Sequence, residues 1–252
     1  MAGNVENQMQ KGVWRVVKLF CLPYAGGAST VFSKWKSYID RSIEIHALEL
    51  PGHGTRMTEP VLTNLQQVAD DLYLQASSSL KEGEPYAIFG HSMGAVLAYE
   101  LQKRMKTRLN KEPGHVFYSG RFPPHIPEKK VYHQLSDAKL KEAIIAMGGV
   151  PEELADNHAV LDFFLPILRA DFQLLETYQC DEVVPAACPI SIFYGTRDLP
   201  SVLFDLDDWD QYTSKDCAFF EFDGDHFFIH SLTNVVVEKI NVILKRIGVL
   251  EK

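Results

Sequence analysis

Gly90-His91-Ser92-Met93-Gly94 places a serine between two glycines, with a short apolar run, Tyr86 to Phe89, before it and an apolar-periodic segment, Ala95 to Met105, after it. A serine on a tight turn from strand to helix is a nucleophile elbow, and the glycines are needed because side chains beside so sharp a turn would collide. The strand and helix on the correct sides carry more weight than the five-residue pattern, since Gly and Ser are common. The chemistry open to such a serine is attack on an acyl carbonyl, with a covalent acyl-enzyme as intermediate.

A serine hydroxyl is a poor nucleophile at neutral pH, so it needs a base within hydrogen-bond reach and an acid to orient that base. In this arrangement the chain order is Ser, then Asp or Glu, then His. His226, in Asp223-Gly224-Asp225-His226 after the last expected strand, is the leading base, with His230 its nearest rival one helical turn further on. Asp198 follows the expected strand Ile190 to Tyr194 and is the leading acid. The loop after the preceding strand, Ser119 to Pro124, holds no carboxylate, which strengthens Asp198. Asp225 is the other candidate, although neighbours along a turn point apart. Asp205, Asp207 and Asp208 read as solvated loop charges.

The tetrahedral intermediate needs two backbone N–H groups aimed at its oxyanion. Met93, the residue after the nucleophile, supplies one, and the loop Tyr24-Ala25-Gly26-Gly27 suits the other, with Ala25 favoured and Tyr24 the alternative. The same glycines also read as a plain strand-to-helix turn. His53, in Pro51-Gly52-His53-Gly54-Thr55, lies on the same rim and reads first as a turn residue beside the site. Arg121 is a rim residue too, as suited to an ion pair with a carboxylate of the helical insertion as to substrate.

These residues require a scaffold that brings several strand ends together. Val13 to Cys21, Ile43 to Leu50, Tyr86 to Phe89, Val116 to Tyr118, Ile190 to Tyr194 and Ala218 to Phe222 read as strands. Helices are expected from Ser29, over Asn64 to Leu80, over Ala95 to Met105 and over Val235 to Ile247. Alternating strands and helices imply an α/β class: an α/β-hydrolase fold with a mostly parallel sheet covered on both faces. Between about 135 and 178 the pattern is helical throughout, from Ser136-Asp137 through Met147 and from Asp162 to Tyr178 with Pro166 kinking or delaying the second helix. This reads as a helical lid inserted into a domain spanning 13–252, the alternative being ordinary crossover helices; residues 1–12 read as a flexible tail.

Composition excludes several classes. A formal net charge of −8 argues against nucleic-acid binding, which depends on clustered Lys and Arg. The four cysteines, Cys21, Cys180, Cys188 and Cys217, show no C-x-x-C spacing and read as reduced thiols. The polar N-terminus lacks a secretory pattern, and no apolar run of about 18 residues exists, so a cytoplasmic protein without a membrane span is expected. No metal or organic cofactor is implied, because the triad supplies nucleophile, base and oxyanion donors by itself.

With these residues in place, the chain resembles the type II thioesterases that accompany polyketide and nonribosomal peptide synthases, relatives of the medium-chain thioesterase of fatty acid synthesis. The resemblance covers about residues 15 to 247. It rests on Leu22-Pro23-Tyr24-Ala25-Gly26-Gly27, Glu49-Leu50-Pro51-Gly52-His53-Gly54, the Ser92 pentapeptide, Phe193-Tyr194-Gly195-Thr196-Arg197-Asp198 and Gly224-Asp225-His226-Phe227-Phe228. The resemblance implies hydrolysis of acyl groups held as thioesters on the phosphopantetheine arm of acyl or peptidyl carrier proteins, which clears stalled or misprimed chains, with acyl-coenzyme A as a further substrate. It also implies a monomer, a mobile helical lid over the acyl pocket, Ser92 as the acylated residue, His226 as the proton carrier, Asp198 as the orienting acid, and Met93 and Ala25 as the oxyanion hole.

Overall fold

The computed structural model describes residues 16–149, 157–198 and 206–246. Six strands, β1 (Val17–Leu22), β2 (Ile43–Ala47), β3 (Tyr86–His91), β4 (His115–Ser119), β5 (Ile190–Gly195) and β6 (Cys217–Phe222), form one sheet in the order β2-β1-β3-β4-β5-β6. Every pairing is parallel, so all carboxyl ends share one edge. The order reverses at β1, whose neighbours β2 and β3 lead the chain in opposite directions. The crevice beyond the β1 and β3 ends is therefore a topological switch point, where open α/β sheets bind ligands.

The strands are apolar on both faces because both faces are covered. Phe20, Leu22, Ile88, Val116 and Tyr118 join one core with helices α1 (Leu65–Ser79) and α2 (Met93–Leu109). Leu19, Cys21, Ala87, Phe89 and Phe117 join the other, completed by Phe32, Trp35, Val236, Val237 and Ile240. In α1 the buried positions Leu65, Val68, Ala69, Leu72 and Ala76 recur at helical spacing. Asn64 caps that helix, its side chain accepting from the Gln67 N–H at 3.2 Å.

Several boundaries differ from expectation. The first strand begins at Val17, with residues 13–15 outside the described residues and Val16 exposed. The segment from Ser29 is a 3-10 helix to Ser37 that lacks a side-chain cap at Ala28. A further 3-10 helix, Leu206–Tyr212, stands where loop charges are expected; it is anchored by buried Trp209, stacked on Tyr118 at 4.4 Å. Asp207 and Asp208 lie on this helix, and Asp205 lies outside the described residues.

Between β4 and β5 the described residues hold two helices and no named strand: α3 (Asp137–Ala146) and α4 (His158–Glu176). The second starts before Asp162, because Asn157 caps it by accepting from the Val160 N–H at 3.2 Å. Pro166 is carried inside α4. A proline there forfeits one backbone bond, which the buried stripe of Leu161, Leu165, Ala170 and Leu174 offsets. The two helices meet through Leu140, Ile144 and Leu165 and through a Lys141–Asp162 ion pair. A last helix, α5 (Thr233–Leu244), closes the second core.

Candidate active site

Ser92 sits between the end of β3 and the first residue of α2, at φ 55° and ψ −114°. This is a strained conformation for a residue with a side chain, and it persists only where the surroundings impose it. A Cβ on Gly90 would overlap the Gly94 carbonyl, and one on Gly94 would overlap the Leu22 carbonyl, so both flanks must be glycine. The Ser92 N–H donates to the Ser119 carbonyl at 2.8 Å, tying the elbow to the end of β4.

Asp198 and His226 come from the ends of β5 and β6. The His226 ring donates from Nδ1 to Asp198 Oδ1 at 3.0 Å. The Asp198 side chain is fully buried, whereas the imidazole is 23% exposed, leaving Nε2 without a hydrogen bond to the described residues. The two loops are joined through backbone: Thr196 N–H donates to Phe222 O at 2.8 Å and Arg197 N–H to Gly224 O at 2.9 Å. The His226 ring lies 5.1 Å from that of His91, the residue before Ser92, which brings the histidine–acid pair to the elbow.

His91 itself is fully buried, with Nδ1 at 2.8 Å from Ser119 Oγ. Burial, with the nearby charge of His226 adding to it, holds its pKa well below the ordinary histidine range, so the ring is a neutral wall behind His226. The rival candidates are engaged otherwise. His230 Nε2 lies 3.0 Å from the Tyr24 hydroxyl, and Asp225 Oδ1 accepts from the Phe227 N–H at 2.9 Å. Arg121 pairs with Glu128 at 2.5 Å, in the loop before α3, and stacks on Phe122 with its Cζ 4.0 Å from the ring centre.

After β1 the chain makes a tight turn, with Gly27 N–H donating to Tyr24 O at 2.9 Å. Within it the Gly26 N–H is taken by Asp171 Oδ2 at 2.7 Å, while the amides of Ala25 and Met93 donate to no side chain or loop carbonyl among the described residues. Both belong to residues that border the switch point, Ala25 just after β1 and Met93 at the start of α2.

His53 is buried, not open to substrate. Its Nδ1 lies 3.0 Å from Pro51 O and its Nε2 2.9 Å from Asp171 Oδ2. Both partners are acceptors, so both ring nitrogens must carry hydrogen, which is the imidazolium. Burial opposes that charge, but the hydrogen bond and charge of Asp171, the Pro51 carbonyl and the charge of Glu49 outweigh it and raise the pKa above the ordinary value. Asp171 was not a candidate from sequence. Its signal is an acid on the buried stripe of α4, among Ile167, Ala170 and Leu174.

A cleft of about 300 Å³ beside α4 is lined by Val61, Thr63, Leu165 and Arg169 among others, and by none of Ser92, Asp198 or His226. No group of three or more His, Cys, Asp or Glu suited to a metal ion occurs among the described residues. No helix among them is long and apolar enough to cross a membrane.

An all-parallel sheet with a serine elbow after β3, an aspartate after β5 and a histidine after β6 is the architecture of an α/β-hydrolase. Within that class the chain belongs to the thioesterase family: the Thioesterase domain matches residues 17–244. It is 34% identical over 223 residues to the gramicidin S biosynthesis protein GrsT of Aneurinibacillus migulanus, covering 88% of this chain and 86% of that one. It is 32% identical to the medium-chain S-acyl fatty acid synthase thioesterase of Rattus norvegicus, over 85% of this chain and 82% of the relative. Among solved structures, ClbQ from the colibactin NRPS/PKS pathway matches with a TM-score of 0.86 at 31% identity, covering 91% of this chain and 97% of that one. The RedJ thioesterase from the prodiginine pathway of Streptomyces coelicolor matches with a TM-score of 0.85 at 30% identity, over 91% and 86%.

Proposed function

We propose that this thioesterase hydrolyses acyl groups from the phosphopantetheine arm of acyl or peptidyl carrier proteins, editing stalled or misprimed chains, through a Ser92–His226–Asp198 triad. The observation that carries the reading is the His226–Asp198 pair at 3.0 Å beside a serine held in the elbow conformation. His226 takes the Ser92 proton as Oγ attacks the thioester carbonyl carbon. The N–H groups of Ala25 and Met93 hold the oxyanion. Collapse breaks the C–S bond and leaves an ester on Ser92. A thiol of pKa near 8.5 leaves with less acid assistance than an alcohol or amine, and His226 returns the proton to it. Water, deprotonated by His226, then attacks the ester and regenerates Ser92. Asp198, buried and hydrogen-bonded to Nδ1, orients the ring and stabilises the imidazolium formed in each half.

GrsT is named for gramicidin S biosynthesis, ClbQ for the colibactin NRPS/PKS pathway and RedJ for the prodiginine biosynthetic pathway, and this supports carrier-bound thioesters as the substrate, with acyl-coenzyme A as a second. The protein would act in the cytoplasm as a monomer. The test is intact-mass spectrometry of a carrier protein loaded with short and long acyl groups, before and after incubation. The expected result is loss of the acyl mass with the free phosphopantetheine thiol left behind. Rapid cleavage of simple oxoesters with acyl-carrier protein and acyl-coenzyme A left intact would overturn the reading.

A further inference from the structure

The turn that offers Ala25 is held from both sides. Its first peptide, Tyr24–Ala25, is fixed at the oxygen by the Gly27 N–H at 2.9 Å, so in a trans peptide the Ala25 N–H points the opposite way. The Tyr24 ring is fixed by its neighbours: the hydroxyl lies 3.0 Å from His230 Nε2, and the ring packs edge-on to His91 and Phe227. What remains free in such a turn is the central peptide, Ala25–Gly26, whose flip is the difference between turn types I and II. Gly26 has φ +76°, the value of the third residue of a type II turn.

One group outside the turn holds that central peptide. Asp171 Oδ2, on α4, accepts its N–H at 2.7 Å. The helix also rests directly on the loop, since a Cβ on Gly26 would stand 2.5 Å from Leu168 Cδ2. A carboxylate only 1% exposed needs a cation, and His53 supplies it from the end of another strand at 2.9 Å. The acid therefore serves the turn and is itself held in place from behind.

We propose that Asp171 is a positioning residue of the oxyanion hole: by accepting the Gly26 N–H it pins the whole turn to α4, so that the Ala25 N–H, already oriented within the turn by the Gly27–Tyr24 hydrogen bond, is kept at one place relative to Ser92, with His53 holding Asp171. The inference rests on the Ser92 reading above. It makes the helical segment between β4 and β5 a working part of the catalytic centre, since one of the anchors of the oxyanion loop is on α4.

The experiment compares Asp171→Asn with wild type in two binding measurements. One uses an alkyl boronic acid, which forms a tetrahedral adduct on the serine and places an oxygen in the oxyanion hole; the other uses a non-hydrolysable acyl thioether, which mimics the ground state. Asp171→Asn should weaken the boronate about 10- to 100-fold, with a matching fall in kcat, and leave thioether affinity within about twofold. His53→Gln, which keeps a donor toward Asp171 but loses the charge, should give a smaller loss of the same kind, and it carries the test if Asp171→Asn does not fold. Wild-type boronate affinity in both folded variants overturns the inference, as does a parallel loss of both ligands, which would mark Asp171 as a pocket or packing residue. A wild-type protein that forms no boronate adduct on Ser92 overturns the functional reading, and this inference with it.

Discussion

Among the described residues, two histidine–aspartate pairs with buried carboxylates share nearly the same geometry, and in the proposed mechanism they do opposite work. His226–Asp198 spans 3.0 Å and His53–Asp171 spans 2.9 Å, each with a carboxylate at most 1% exposed. The difference lies in the second ring nitrogen. In His53 it faces the Pro51 carbonyl, so neither nitrogen can take a proton from a substrate or nucleophile. In His226 it is left without a partner among the described residues, on a ring that solvent reaches. A pair with one nitrogen left open can serve as a base, as proposed for His226, whereas a pair with both nitrogens used can only be a structural pin.

That contrast is broken most sharply by removing the nucleophile. Ser92→Ala should lower kcat about 10⁴- to 10⁶-fold, with Asp198→Asn at the lower end of that range, and thermal unfolding of Ser92→Ala should match wild type. Matched substitutions at the two histidines then separate the roles. His53→Ala leaves the Asp171 carboxylate buried without its cation and should cost about 3 to 5 kcal/mol in urea unfolding. His226→Ala opens the Asp198 carboxylate to the solvent that already reaches the ring, so it should cost less, about 1 to 2 kcal/mol, while abolishing turnover. Equal stability losses in the two variants would remove the distinction.

A buried histidine with no acid beside it shows the contrary case. His115, hydrogen-bonded to Ser191 Oγ at 2.8 Å, is lowered by burial to about 4, whereas His53 is raised because its acids outweigh burial. The signs of linkage are opposite. His115 is held neutral in the folded chain, so the unfolded chain binds the extra proton, and the stability it confers above about pH 6.5 is lost as pH falls toward 4. At roughly 1.4 kcal/mol per unit this amounts to about 3 kcal/mol. His53 contributes fully below about pH 6.5, and its contribution is lost as pH rises through its raised folded value. Urea midpoints against pH should therefore show a shallower acid limb in His115→Phe and a shallower alkaline limb in His53→Phe. An acid limb unchanged in His115→Phe would place the acid sensitivity elsewhere.

The same comparison separates what the sequence reveals from what it hides. The parallel α/β sheet was legible because its strands are short apolar runs between turn residues, and the elbow was legible because Gly90 and Gly94 are required by backbone contact alone. Asp198 and His226 could be nominated because each follows a strand directly, so their positions depend on chain order. Asp171 could not, since its partners, Gly26 and His53, are 145 and 118 residues away, and only tertiary packing brings them to α4. The 3-10 helix at Leu206–Tyr212 was hidden because Asp207 and Asp208 mask the two residues that bury, Trp209 and Tyr212. The early start of α4 was missed because Pro166 reads as a boundary, while Asn157 caps the helix and its buried stripe outweighs one lost hydrogen bond.

How the catalytic loops stay together yields the two smallest effects. The turn bearing Asp198 meets the turn bearing His226 through main-chain hydrogen bonds and through Gly195, where a Cβ would lie 2.6 Å from the carbonyl oxygens of both Gly224 and Asp225. Neither oxygen can move without shifting the residues next to His226, so Gly195→Ala should cost about 1 to 3 kcal/mol and lower kcat about tenfold. The Arg197–Asp223 ion pair bridges the same turns, but its side chains are 64% and 85% exposed. Water and salt screen such a pair, and holding two long side chains together costs entropy, so Arg197→Ala should change stability by no more than about 0.5 kcal/mol and leave kcat within about twofold. If the ion pair rather than the backbone held the acid to the base, the order of these two variants would reverse, and parallel kcat and urea measurements on both would reveal it.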